Sequence, residues 1–147
     1  MKALAVLMCF FGIFALFQSI TPYGQDEDAD NAMATNYAVY RNQVIHYAVK
    51  HPASTGVLST AALGLPVHWR ALRGWKNRIE GNHVYVYGEA SANEATAIQS
   101  LFKGSFAIGV KKSGRMQSIN GSGETLPAFI PENNIVTVIV RRPHVHP

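Results

Sequence analysis

"DADNAMATNYAVYRNQVIHYAVK", residues 28–50, sets the terms for the rest of the fold. Met33, Tyr37, Tyr40, Val44, Tyr47 and Ala48 fall within a stripe about 100° wide at 3.6 residues per turn, the width of a helix face that packs on a core. Acids stand at its start and Lys50 and His51 at its end, the sense the helix dipole favours, and Pro52 stops it. The spacing therefore predicts a core-facing helix whose three tyrosines carry polar tips toward the surface. A single amphipathic helix cannot bury its own stripe, so the following sequence must supply another layer.

Residues 51–74 have no clean period and are rich in small residues, which reads as an irregular connection. "WKNRIEGNHVYVYGE", residues 75–89, predicts a hairpin: Trp75 to Ile79, a turn around Gly81-Asn82, then Val84 to Gly88. Val84 and Val86 face one way and Tyr85 and Tyr87 the other, so both faces of that strand should be covered. "SANEATAIQSLFKG", residues 91–104, carries the capping box Ser91-x-x-Glu94, in which each side chain satisfies the other residue's free backbone N–H. A helix over 92–103 follows, with Ala95, Ile98, Leu101 and Phe102 as its buried stripe and Gly104 as its left-handed cap. "SFAIGVKK", residues 105–112, alternates small and large side chains, a strand whose small face a helix can approach closely. Residues 113–134 read as one long loop, and a loop of that length tends to be functional or mobile. "IVTVIVRR", residues 135–142, is a strongly apolar strand with the composition of a central one. The expected domain is thus α+β, one antiparallel sheet with two helices on one face, in the order α-β-β-α-β-β.

Upstream, "ALAVLMCFFGIFALFQSI", residues 3–20, is uncharged throughout. At 1.5 Å per residue it reaches roughly 27 Å, just enough for a thin hydrocarbon core. Phe17 is too bulky for the −3 position of a signal-peptide cut after Ser19, and Ala32-Met33-Ala34 lies far downstream of the run. Met8 before Cys9 argues against a lipoprotein, and the lack of Glu after Gly12 argues against a prepilin. The expectation is an uncleaved signal anchor over 1–24, an N-terminal transmembrane helix followed by a domain at 25–147. Lys2 and the α-amine precede the run and four acids within 25–30 follow it, which would hold the N-terminus in the cytoplasm and export the domain to a bacterial periplasm. A cleaved signal and a soluble periplasmic domain is the alternative. Cys9 is the only cysteine, so the domain can form no internal disulfide and must stand on packing.

Residues 31–147 hold twelve Lys and Arg against five Asp and Glu, but they are scattered singly apart from Lys111-Lys112 and Arg141-Arg142. Solubility explains such scatter better than a nucleic-acid or headgroup partner. "HWRALRGWKNR", residues 68–78, is the one basic-aromatic cluster. Its Trp69, Arg73, Trp75 and Arg78, with Tyr37 and Tyr40, form the candidate partner surface, toward protein or an anionic headgroup rather than nucleic acid. The competing reading makes the tryptophans core anchors. Ser105 and Ser122 are not in a nucleophile elbow, and "GSGE" lacks the lysine and strand-to-helix context of a phosphate loop. His46, His51, His144 and His146 could meet at a metal only if the tail folded back, with no cysteine or carboxylate to complete the set. No catalytic residue, cofactor or metal is expected.

The segments "NYAVYRNQVIHYAVKHP" (36–52), "VYVYGEAS" (84–91) and "LPAFIP" (126–131), behind a hydrophobic run, resemble the small PilM family encoded with the thin type IV pilus of conjugative plasmids. That family is distinct from the cytoplasmic actin-like proteins sharing its name. The resemblance implies an inner-membrane or periplasmic component of pilus biogenesis, needed for plasmid transfer in liquid, whose partners are other assembly proteins. It offers no catalytic residues. Its working parts would be the anchor at 3–20, the tyrosine-rich helix and the 113–134 loop. The rival is a secreted module that grips an anionic ligand through Trp69 to Arg78.

Overall fold

The computed structural model describes residues 23–141. The first helix, α1, spans Tyr23–Lys50, longer at its start than the apolar stripe alone requires. Tyr37, Tyr40, Val44 and Ala48 are buried, with Met33 and Tyr47 packed against them, so the predicted face is the one that meets the core. His51 N–H still bonds Tyr47 O at 2.9 Å, and Pro52 ends the pattern. A 3-10 turn at Thr60–Leu63 interrupts the connection, and its Leu63 is buried.

Six strands follow: β1 (Lys76–Glu80), β2 (His83–Gly88), β3 (Ile108–Lys112), β4 (Arg115–Ser118), β5 (Gly121–Thr125) and β6 (Ile135–Val140). The second helix, α2 (Ala92–Leu101), separates β2 from β3 and begins with the capping box predicted at Ser91 and Glu94. All strand pairs are antiparallel, in the order β1-β2-β6-β3-β4-β5. The apolar β6 lies inside the sheet, as its composition requires.

Both faces of the sheet are covered. Val84, Val86, Ile108 and Ile135 pack under α1 and α2 with Trp75, Ile79 and Ile98. Tyr85, Tyr87, Val136 and Val138 face the opposite way and are closed over by Leu126, Phe129 and Ile130. Each such side chain removed from water contributes about 1.5–3 kcal/mol, so the second layer is a core in its own right.

Two features correct the expected architecture. The 113–134 segment is not one loop: its first half is the β4–β5 hairpin, and its second half, "LPAFIP", covers the second face. Buried Lys111 pins that cover, its Nζ donating to Pro127 O at 3.0 Å and Ile130 O at 2.8 Å. The strand order after α2 is therefore four strands rather than two. The second correction concerns the transmembrane helix: among the described residues no helix is long and apolar enough to cross a membrane. Residues 3–20, to which that reading was attached, lie outside the described residues. The small face of the 105–112 segment also serves a different neighbour. A Cβ on Gly109 would collide with the Gln117 carbonyl, so it is the adjacent strand β4, not a helix, that the missing side chain admits.

The two edges of the sheet differ. Strand β1 is sealed by Gly56, which exchanges two 2.8 Å hydrogen bonds with Ile79, and by Asn77, whose side chain bonds both backbone groups of Leu58. Strand β5 at the other edge is short, exposed and carries two glycines within its five residues.

Candidate functional site

Tyr37, Tyr40, Trp69 and Trp75 come together, but Tyr37, Tyr40 and Trp75 are buried beneath α1 and Trp69 is half-buried at its margin. Tyr37 is fully buried; its hydroxyl donates to Val86 O at 3.0 Å and lies 2.9 Å from Thr137 Oγ1. Burial pushes its pKa well above the ordinary tyrosine value, because the phenolate would lose its hydration, and the Thr137 contact offsets only part of that. The Tyr37 ring meets Trp75 edge-to-face at 5.0 Å, and Tyr40 stacks on Trp69 at 5.9 Å. These four are the anchors that fix the irregular 65–75 segment on the helix.

Asn36 organises that segment, and nothing in its sequence context announces it. Its Oδ1 accepts from Trp75 Nε1 at 2.8 Å and Leu72 N at 3.0 Å, while its Nδ2 donates to Arg70 O at 2.7 Å. One side chain thus replaces the regular hydrogen bonding that residues 70–75 lack. Asn77 does the same for the sheet edge, also donating to Tyr40 Oη at 2.7 Å.

The two candidate arginines part company. Arg73 reaches back to α2, its Nη2 lying 2.7 Å from Glu94 Oε1. Burial raises the Glu94 pKa, but the Arg73 hydrogen bond and the Ser91 backbone N–H outweigh it and leave the carboxyl below the usual range. Arg78 sits on the other face of the sheet, its guanidinium 4.5 Å from the centre of the Phe129 ring, where it helps hold the "LPAFIP" cover. The basic-aromatic cluster of the sequence is therefore divided between two faces.

Among the described residues, several depressions lie beside the helices. A groove of about 400 Å³ lies between α2 and strands β3 and β4, floored by Ala92, Ala95 and Val110 and bounded by Lys112, Gln117 and Ile119. A shallower one of about 500 Å³ follows α1 against Val39, Trp69 and Leu72. Trp69 Nε1, which is buried, has no hydrogen-bond partner among the described residues, and the ring packs on Tyr40. His51 stacks on Tyr47 at 4.2 Å, and its Nδ1 lies 3.0 Å from Tyr47 O, a helix-terminal role. His144 and His146 lie outside the described residues. Among those described, no group of three or more His, Cys, Asp or Glu residues is placed to hold a metal ion.

Comparison with known proteins agrees with the resemblance carried by the three segments. The PilM family model matches residues 6–138, most of the chain. A crystal structure of a protein designated PilM from Escherichia coli B7A is 26% identical, covers 82% of this chain and 98% of its own, and superposes with a TM-score of 0.61. A protein designated PilM from Pseudomonas aeruginosa 2192 is also 26% identical, covering 76% of this chain and 94% of its own, with a TM-score of 0.44. No curated protein matches the sequence. With a family match across nearly the whole fold and a solved relative sharing its architecture, the chain belongs to the PilM family of pilus-related proteins.

Proposed function

We propose that this chain is a non-enzymatic structural component of a type IV pilus biogenesis machine, that its domain faces the periplasm, and that it supports conjugative plasmid transfer through contacts with other assembly proteins. The observation that carries this reading is the family match over 6–138, which takes in both helices, β1 to β5 and all but the last two residues of β6. Export is supported by the uncharged run at 3–20 with Lys2 before it and the acidic stretch after it. A scaffold role is supported by how the polar side chains are spent: Tyr37, Asn36, Asn77, Glu94 and Lys111 each bond to groups that hold elements of the fold together.

The test is deletion of the coding sequence from a plasmid that carries the thin pilus, with the chain returned in trans. Loss of pili and of mating in liquid, restored by the chain, is the expected result. Normal piliation without it would overturn the assignment. Fractionation addresses the location: the domain should be protected from protease in intact cells and digested once the outer membrane is opened.

A further inference from the structure

Lys112 lines the groove between α2 and the β3–β4 pair, and Arg115, outside that lining, is its cross-strand neighbour. Lys112 and Arg115 stand directly opposite each other across β3 and β4, an arrangement of like charges that costs stability. Both are exposed, and among the described residues neither forms an ion pair; Arg115 spends a hydrogen bond on Gly123 O at 3.1 Å. On the other flank of α2 the first turns of α1 carry Asp26, Glu27, Asp28 and Asp30, which also form no ion pair among the described residues. Glu27 and Asp30 share a depression with Asn93, Thr96 and Ala97 of α2. Thr96 lines both this depression and the groove, so acid and base lie on opposite sides of one short helix.

We infer that a second copy of this chain docks here, the acidic first turns of α1 in each copy lying over the Lys112–Arg115 side of the groove in the other. A patch with acid on one flank and base on the other is self-complementary about a two-fold axis near the start of α2, the arrangement a symmetric dimer requires. The exposed face of α2 carries small Ala92, Asn93, Thr96 and Ser100 along most of its length and ends at Leu101, which is exposed rather than part of the buried stripe; Leu101 and the exposed Ile119 supply apolar contact. The partner is specified by charge: the acidic stretch is the one concentrated block of negative residues in the chain, and Lys112 with Arg115 is an unneutralised cross-strand cation pair. This inference does not depend on a role in pilus assembly.

Sedimentation velocity of the full chain in a non-ionic detergent, from about 1 to about 200 μM and at low and high salt, reads it out. The expected result is a monomer–dimer equilibrium whose Kd rises at least about tenfold with salt and with Lys112→Glu/Arg115→Glu, and returns when Glu27→Lys/Asp30→Lys is added. Thr96→Tyr, an exposed site that leaves folding intact, should weaken the dimer without touching charge. A monomer at every concentration, or a dimer indifferent to all these changes, would overturn the inference. A monomer that binds a synthetic acidic peptide would overturn it too and reassign the groove to another protein.

Discussion

Asn77→Ala isolates the contact that seals the sheet edge. The side chain is 2% exposed and satisfies three buried groups: Leu58 N–H at 2.8 Å, Leu58 C=O at 3.0 Å and the Tyr40 hydroxyl at 2.7 Å. A buried polar group stripped of its partner costs about 1–3 kcal/mol, so three would cost about 3–9 kcal/mol if none found water. The space vacated by the amide admits a water that recovers part of this, which brings the expected loss to about 3 kcal/mol. Against a domain stability of about 5–15 kcal/mol, that is a large fraction.

Urea unfolding followed by tryptophan fluorescence is the natural assay, because Trp69 stacks on Tyr40 and Trp75 meets Tyr37 edge-to-face on the same helix. With a slope of about 1.5 kcal/mol per molar, the midpoint should fall by about 2 M. Tyr40→Phe removes one of the three partners and should cost only about 1 kcal/mol, and the pair combined should show a coupling of similar size. Asn77→Asp keeps the acceptor for Leu58 N–H but turns a carboxylate toward Leu58 O. It should be worse than alanine at neutral pH and recover as acid protonates it, since a carboxyl raised by burial loses stability as pH rises through its folded pKa. A loss below about 1 kcal/mol for Asn77→Ala, at unchanged slope, would refute the claim that the Asn77 amide is needed beside the Gly56 bonds to close this edge.

Lys111→Met should cost about 2 kcal/mol by leaving Ile130 O unbonded and Pro127 O with only its 3.2 Å bond from Ile130 N–H, and limited proteolysis should then cut within 126–134 before it cuts the helices. Glu94, held below the usual carboxylate range, contributes stability that is present above a pH of about 4.3 and lost as pH falls below it. Glu94→Gln should therefore flatten the acid limb of the stability profile, whereas Ser91→Ala should cost about 1 kcal/mol through the lost cap. Tyr37→Phe should cost about 1–2 kcal/mol at neutral pH. With the Tyr37 pKa raised by burial, the wild-type chain should lose stability as pH rises past about 10, and the variant should lose less.

The helices were legible because their signals are local. The α1 stripe repeats over four turns, and the Ser91–Glu94 box sits three residues apart, so no tertiary knowledge is needed to read either. The β1–β2 hairpin and β6 were legible for a related reason, since alternation or a β-branched run is visible within one segment. Strands β4 and β5 were not: Met116 is the one apolar residue in "RMQS", and "GSGET" has none, so pairing with a neighbour, not patterning, makes them strands. Their glycines and serines look the same in a loop. The candidate surface was misplaced on similar grounds. Trp69, Trp75 and Arg78 are close in sequence, but β1 turns alternate residues to opposite faces, which sends Arg78 to Phe129 and leaves Trp75 under α1. Asn36 and Asn77 carry no periodic signal at all, because what defines them is the backbone each one meets.

The edges and the groove together point to where this domain can take a partner. An uncovered strand edge is the usual place for unwanted pairing, and here β1 is closed by Gly56 and Asn77 while β5 is left open. Strand β5 offers little to an incoming strand, however: it is five residues long, it holds two glycines, and none of its side chains is apolar. Backbone hydrogen bonds gained there would replace bonds to water, worth only about 1 kcal/mol each, with no burial to add to them. The α2 groove differs on both counts, since it combines alanine and valine surface with a cation pair that the fold keeps at a cost. The dimer inferred above therefore draws on α2 rather than on β5, because there a mixed polar and apolar groove lies beside an opposed pair of cations.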